Sequence, residues 1–249
     1  MKYAILGDVH GNLEALEAVL AQVRAAKPDR IVHLGDIVGY GASPVECWDL
    51  VRDAGARGIV GNHERYVTGV TSMASVSRDD KRFTIDYSAK RMKPAQLEEM
   101  KRMPLQIATE DGLLFVHGSP RNEDEYLLTW EAVQESVLFL RMTMPEVHVC
   151  FFGHTHIPAL ATATAVESKF EEKPDVQVIQ LADSKTYLVN PGSVGQPRDR
   201  CAKAAWALYD SGEDVLEFRR VAYDVGGAQN RMRDAGFADP LVDRLAHGR

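Results

Sequence analysis

Gly7-Asp8-Val9-His10-Gly11-Asn12 follows directly on the apolar run Tyr3–Leu6 and precedes Leu13, Leu16, Val19, Leu20 and Val23 at helical spacing. That order of buried strand, glycine-flanked turn and helix decides the fold class. Asn12 is placed to cap the helix, and Glu14 sits where a first-turn acid opposes the dipole. The pattern repeats downstream. Ile31–Leu34 is a second strand, Gly35–Ala42 a glycine-rich loop, and Ser43-Pro44-Val45-Glu46 a capping box with Pro at the first helical position. The helix it opens runs to about Ala54, where Gly55 can end it. Gly58–Val60 reads as a third strand. A βαβαβ order predicts a parallel sheet with its chemistry at the carboxyl ends of the strands.

Past this unit the pattern changes. Residues 65–104 carry Asp79-Asp80-Lys81-Arg82 and Lys90-Arg91, with apolar residues spaced helically around Leu97, Met100 and Met103. They read as a helical insertion over the site, serving either packing or substrate selection. Leu105–Thr109 and Leu113–His117 flank Glu110-Asp111-Gly112 as a hairpin. Trp130–Met142 is helical and stops before Pro145. Val147–Phe152 is an apolar strand, followed by five more β runs, Ala159–Ala165, Val176–Ala182, Thr186–Val189, Ala204–Tyr209 and Val215–Ala222, expected as a meander stacked on the first sheet. Glu171-Glu172-Lys173 reads as a solvated hairpin tip. Short helices near Gly227–Ala235 and Pro240–Ala246 close the chain. No internal repeat or linker is visible, so residues 1–249 are expected to form one domain.

The chain has 249 residues, 45% hydrophobic and 26% charged, as in ordinary soluble domains. A net charge of -7 disfavours non-specific nucleic-acid binding, which needs Lys and Arg to neutralise phosphates. It does not disfavour a small phosphate-bearing substrate, because bound divalent cations reverse the local sign. Cys47, Cys150 and Cys201 show no CxxC spacing, which fits a reducing compartment. Met1-Lys2 leads straight into a strand-like run without a signal peptide, and no apolar stretch approaches the ~20 residues of a membrane span. A soluble cytoplasmic protein is expected, with no membrane partner and the oligomeric state open.

Five stretches carry metal-ligand side chains at strand-to-loop junctions. They are Asp8 and His10, Asp36 after Gly35, Gly61-Asn62-His63-Glu64, His117 in Val116-His117-Gly118, and His154 and His156 in Gly153-His154-Thr155-His156. Four imidazoles, two carboxylates and one amide suit Mn²⁺, Fe²⁺, Zn²⁺, Co²⁺ or Ni²⁺, with Mn²⁺ first for activity, better than the all-oxygen shells of Ca²⁺ and Mg²⁺. The lack of cysteine ligands argues against a structural zinc site. Asp36 is the candidate bridge between two cations. Two divalent cations against two carboxylates leave about +2, or about +1 with a bridging hydroxide, enough to attract a phosphate ester and acidify a bound water. The leaving alkoxide then needs a proton, for which His63 is the natural donor. Glu64 or another carboxylate could orient its ring.

Five motifs in this order resemble the calcineurin-like metallophosphoesterase superfamily. Asn190-Pro191-Gly192-Ser193-Val194-Gly195-Gln196-Pro197-Arg198 resembles its small prokaryotic single-domain phosphodiesterase branch, and the likeness spans about residues 1–210. The resemblance implies a four-layer αββα sandwich of two stacked mixed sheets flanked by helices. It implies that Asp8, His10, Asp36 and His156 hold one metal, that Asp36, Asn62, His117 and His154 hold the other, and that His63 is the acid. It implies hydrolysis of phosphodiesters or phosphomonoesters, of small molecules or nucleotides, by a hydroxide held between the metals. Asn12, Tyr40 and Arg198 are the candidate substrate contacts, with an outward ion pair as the alternative for Arg198. The protein Ser/Thr phosphatases continue their Gly-Asp motif with an Asp-Arg-Gly, which Ile37-Val38-Gly39-Tyr40-Gly41 lacks. A phosphatase of that kind is a weaker alternative, as is a non-catalytic protein-binding scaffold, which goes with degraded metal motifs. His33 and Cys150 are expected in the core, His148 at a strand edge and His247 in the tail.

Overall fold

In the computed structural model, which describes residues 1–165 and 174–249, β1 (Lys2–Leu6) pairs in parallel with β2 (Arg30–His33), and β2 with the two-residue β3 (Arg57–Gly58). The crossovers are α1 (Leu13–Ala26) and α2 (Pro44–Asp53). Asn12 caps α1 by accepting from the Ala15 N–H at 3.2 Å. The capping box expected at Ser43 does not form: Ser43 makes no side-chain cap bond, and its N–H instead donates to Gly11 O at 3.0 Å, tying the second loop to the first. The third strand is shorter than Gly58–Val60 because the Val60 N–H leaves the sheet for Pro104 O, at 2.9 Å.

A second sheet is built on β5 (Leu113–Val116), with β4 (Gln106–Ala108) antiparallel on one side and β6 (Val149–Phe151) parallel on the other. α6 (Trp130–Thr143) connects β5 to β6. The remaining strands are β7 (Ala159–Ala161), β8 (Val176–Gln180), β9 (Tyr187–Asn190), β10 (Ala204–Asp210) and β11 (Val215–Val221). They do not form the expected meander. β9 runs parallel beside β6 with β7 on its far side, whereas β10, β11 and β8 extend the first sheet antiparallel from β1. Burial explains the division. β9, and β10 up to Tyr209, are buried on both faces, so each needs two covered faces and strand neighbours on both edges, which a meander ending in solvent does not supply. β11 alternates buried and half-buried residues and lies nearer the edge. The expected hairpin tip Glu171-Glu172-Lys173 lies outside the described residues.

The result is two mixed sheets face to face with helices outside. Strand alternation sorts the core. Tyr3 and Ile5 of β1 meet Phe115 and Phe151 between the sheets, while Ala4 and Leu6 face α1 and α2. Leu114 and Cys150 face α6 on the other outer surface. Residues 65–104 contain the end of α3 (Asn62–Val67), then α4 (Asp79–Arg91) and α5 (Pro94–Lys101); Ile85 and Met100 join the core around Trp48. The last helices, α7 (Val225–Asp234) and α8 (Asp239–His247), pack Met232, Leu241 and Leu245 against Tyr40 and Tyr87. Among the described residues, no helix is long and apolar enough to cross a membrane.

Phe151 stacks on Phe115 at 5.4 Å between the sheets and is fully buried. Phe151→Ala is expected to lower the unfolding free energy by about 3–5 kcal/mol in urea titration. A loss below about 1 kcal/mol would show that the inter-sheet layer does not hold the sheets together.

Candidate metal centre

The sheets are stacked so that the carboxyl ends of β1, β2, β5 and β6 deliver Asp8 and His10, Asp36, His117, and His154 and His156 to one place, with Asn62 and His63 opening α3. Three groups each have ligand atoms within 4.8 Å of one another: Asp8, His10 and His156; His10, Asp36 and His63; and Asp36, His117 and His154. All of these residues are buried. Asp8, His10, Asp36, Tyr40, His154 and His156 all have φ between 49° and 65°, a left-handed conformation that costs a non-glycine residue about 1 kcal/mol or more. The backbone is thus bent against its preference to turn these side chains inward.

The outer ring nitrogens fix the tautomers. His10 Nδ1 donates to Val38 O at 3.0 Å, His156 Nδ1 to Gln196 O at 2.7 Å, and His117 Nδ1 to Leu34 O at 2.7 Å. Each Nε2 therefore presents a lone pair inward when the ring is neutral. Burial lowers the His10 pKa to about 4 and holds His156 well below its ordinary value, so both are neutral at pH 7. Yet His10 Nε2 and His156 Nε2 stand 3.1 Å apart. Two lone pairs at that distance repel unless a cation lies between them. Asp8 Oδ1 is 3.4 Å from His156 Nε2.

On the other side, His117 Nε2 is 3.1 Å from Asn62 Oδ1 and 3.4 Å from Asp36 Oδ2. Burial opposes a charge on His117, but Asp36 and Asp8 raise its pKa to about 9; without a metal, a proton on Nε2 takes the cation's place. When His117 is neutral, the Asn62 oxygen faces only acceptors, on His117, Asp36 and His154, while Lys81 Nζ lies on the amide's other side. With the amide turned, its NH2 faces all three within hydrogen-bond distance and its oxygen accepts from Lys81 at 3.2 Å. Carbonyl inward is the orientation a cation selects. The donor set thus fits a divalent ion on each side.

Asp36 joins the two sides. Its Oδ1 accepts the His63 N–H at 2.8 Å, and its Oδ2 faces both His117 and His10, the latter at 3.7 Å. Glu64 does not orient the His63 ring. Its carboxylate accepts four backbone N–H groups: Ile37 (2.7 Å) and Val38 (3.2 Å) on Oε1, Asp36 (2.8 Å) and Gly61 (2.9 Å) on Oε2. It shapes the Asp36 loop instead. His63 Nδ1 is buried without a hydrogen-bond partner, beside Gly39, whose φ of 82° and lack of Cβ let the ring approach.

Asn190, quoted above within a longer motif but given no role, donates to Gly153 O at 2.8 Å and Thr155 Oγ1 at 3.0 Å, fixing the loop that carries His154 and His156. Ser193 Oγ donates to Asp8 O at 2.7 Å. A Cβ at Gly195 would run into Val9 O, so the two loops approach as only glycine allows. Asn12, expected at the substrate, has both amide donors engaged, to Gly195 O at 2.8 Å and Tyr223 OH at 3.2 Å; its role is internal. Tyr40 lies 4.7 Å from the rings of both His10 and His63, and Arg198 stands 5.8 Å over Tyr40. Among the described residues Arg198 forms no ion pair; it donates to Gln196 Oε1 at 2.9 Å. Tyr126 covers His154, with ring centroids 3.7 Å apart. His33 and Cys150 are buried, His148 touches Tyr209 OH at 3.2 Å, and His247 is exposed.

A family model, the calcineurin-like phosphoesterase superfamily domain, matches residues 1–212. A metallophosphoesterase from Sphaerobacter thermophilus of known structure is 34% identical, superposes with a TM-score of 0.82, and is matched over 100% of this chain and 99% of its own. An uncharacterized protein of Methanocaldococcus jannaschii is 33% identical over 99% of this chain and 98% of its own length. A symmetrical bis(5'-nucleosyl)-tetraphosphatase of Sodalis glossinidius is 30% identical over 47% of this chain and 43% of its own length. The chain belongs to the calcineurin-like phosphoesterase superfamily, whose members use divalent metal ions.

With two donors on each oxygen, Glu64 has no uncommitted position for a proton, although burial and the nearby Asp36 push its pKa up to about 7. At pH 8, Glu64→Gln keeps one acceptor oxygen, turns an NH2 toward backbone N–H groups, and is expected to cost about 2 kcal/mol or more in a urea titration. Wild-type stability at that pH would contradict its role in holding the Asp36 loop.

Proposed function

We propose that this calcineurin-like phosphoesterase is a dinuclear metal-dependent hydrolase of small phosphate esters, nucleotides among them, with Mn²⁺ as the activating ion. The observation that carries the reading is Asp36 Oδ2, shared between the His10 side and the His117 side of one buried cluster. In this reading Asp8, His10, Asp36 and His156 hold one cation, and Asp36, Asn62, His117 and His154 the other. The two cations supply charge that attracts the phosphoryl group and an acidified water to attack it.

The chain's own groups do the rest. The Nδ1–H bonds of His10, His117 and His156 to backbone carbonyls hold the rings fixed, and those of His10 and His156 leave Nε2 free of a proton, whereas His117 would give up its Nε2 proton to a cation. Tyr40 and Tyr126 wall the cleft, and Arg198 meets the phosphoryl oxygens. His63 hands a proton to the departing oxygen. Burial holds its pKa well below the ordinary value, so the ring is neutral without substrate. An anionic phosphoryl group beside it raises its proton affinity and loads it when it is needed. The partial likeness to a bis(5'-nucleosyl)-tetraphosphatase puts dinucleoside polyphosphates among the first substrates to screen. Three free cysteines fit a cytoplasmic setting.

His63→Ala is expected to keep both metals but lower kcat by about 10²–10⁴-fold for alkyl esters, and far less for p-nitrophenyl esters, whose leaving group needs no proton. Equal losses for the two classes would remove His63 from leaving-group chemistry.

A further inference from the structure

Beside the cluster lies a cavity of about 340 Å³ lined by Arg78, Lys81, Arg198, Arg244, Tyr40 and Tyr126, among others. Tyr40 contacts the His10 ring and Tyr126 the His154 ring, so these two side chains set the cavity next to both halves of the cluster. Its four cations come from the start of α4, from the turn after β9, and from α8. In a chain of net charge -7 such a gathering is not a by-product of composition.

The cations are poorly compensated. Arg78 pairs with Asp80. Among the described residues, Lys81, Arg198 and Arg244 have no carboxylate at ion-pair distance, although the surface is rich in Asp and Glu. Arg198 Nε and Arg244 Nη1 are buried without any hydrogen-bond partner. A buried cationic donor left unpaired costs folding free energy, here at two positions around one space. Burial, and then repulsion from Arg198 and Arg78, hold the Arg244 guanidinium below its ordinary pKa. Asp80 pairs with Arg78 alone, and Asp36 and Asp124 act on Lys81 only from beyond ion-pair distance, so a bound anion would relieve the cost that remains. A single phosphoryl group seated at the metal cluster would leave the farther cations bare, whereas a chain of phosphoryl groups would reach them.

We propose that Arg78, Lys81, Arg198 and Arg244 form a phosphate-chain subsite, which makes the ligand a compound with at least two adjacent phosphoryl groups. For the fate of that ligand this rests on the phosphoesterase reading above, but the binding stands apart from it. Arg244 lies beyond residues 1–212, so this subsite draws on a part of the chain that the family model does not match. Docking of α8 against Tyr40 and Tyr87 brings Arg244 into place, which gives the C-terminal helices a role in selecting substrate. Guanidinium groups suit the task, since each can bind two phosphate oxygens at once.

The test is titration calorimetry on full-length protein freed of metal on a chelating resin, with inorganic tripolyphosphate, ATP and orthophosphate as ligands. Tripolyphosphate should bind at least about tenfold more tightly than orthophosphate, and Arg244→Gln should weaken tripolyphosphate by about fivefold or more, with Arg244→Lys in between. If Arg244→Gln melts early, Arg78→Gln, at an exposed position, serves in its place. ATP tighter than tripolyphosphate assigns a nucleoside to the end of the chain; equal affinity assigns the phosphate chain alone; both support the subsite. Equal affinity for tripolyphosphate and orthophosphate, or an unchanged affinity in folded variants, would overturn it. Failure of the Mn²⁺-loaded wild type to hydrolyse any phosphate ester would sink the catalytic reading and leave this binding result to be judged by itself.

Discussion

His10 Nε2 and His156 Nε2 face one another at 3.1 Å, each with its opposite nitrogen committed to a backbone carbonyl. Neutral rings in those tautomers repel, and burial makes protonating either one unfavourable. Across the site the same conflict recurs in the Asn62 oxygen, which points at other acceptors. A buried set of converging lone pairs is stable only around positive charge. The fold creates that conflict, and in the proposed reading a divalent ion on each side would resolve it.

The surrounding structure follows from holding those atoms in place. Left-handed residues occur in the turns after β1, β2 and β6, where the chain bends sharply to aim Asp8, His10, Asp36, His154 and His156 inward; His117, after β5, reaches the site without one. The strain is over-determined by side chains committed to the backbone: Glu64 on four N–H groups, Asn190 on the His154–His156 loop, and Ser193 on the Asp8 carbonyl. The two sheets contribute opposite halves of the site. Their stacking through Ile5, Phe115 and Phe151 therefore sets ligand geometry as well as stability.

Much of this was legible in the sequence, and the reasons are local. Asp8, His10, Asp36, Asn62, His117, His154 and His156 each follow an apolar run and a turn signal, and the Asn12 cap is a short-range pattern. The sheet order was not legible in the same way. Thr186–Val189 and Ala204–Tyr209 read only as apolar strands, and the fact that both faces are buried, which makes them central, appears as a missing alternation that was open to a second interpretation. Glu64 looked like a partner for the adjacent His63, but helical geometry carries it back toward the Asp36 loop. Asn12 fell in a motif of functional residues and turned out to serve the helix and Gly195. The cavity cations at 78, 81, 198 and 244 form no stripe in the sequence, so an overall acidic charge concealed a basic pocket that only tertiary structure assembles.

Two cations sharing the Asp36 carboxylate would be the centre of the proposed chemistry. Crystals soaked in Mn²⁺, with diffraction recorded at the manganese absorption edge, test it directly. Two anomalous peaks about 3.5–4 Å apart are predicted, one beside His10 and His156 and the other beside His117 and His154, with Asp36 Oδ2 within bonding distance of both. A single peak, or two that do not share Asp36, would contradict it.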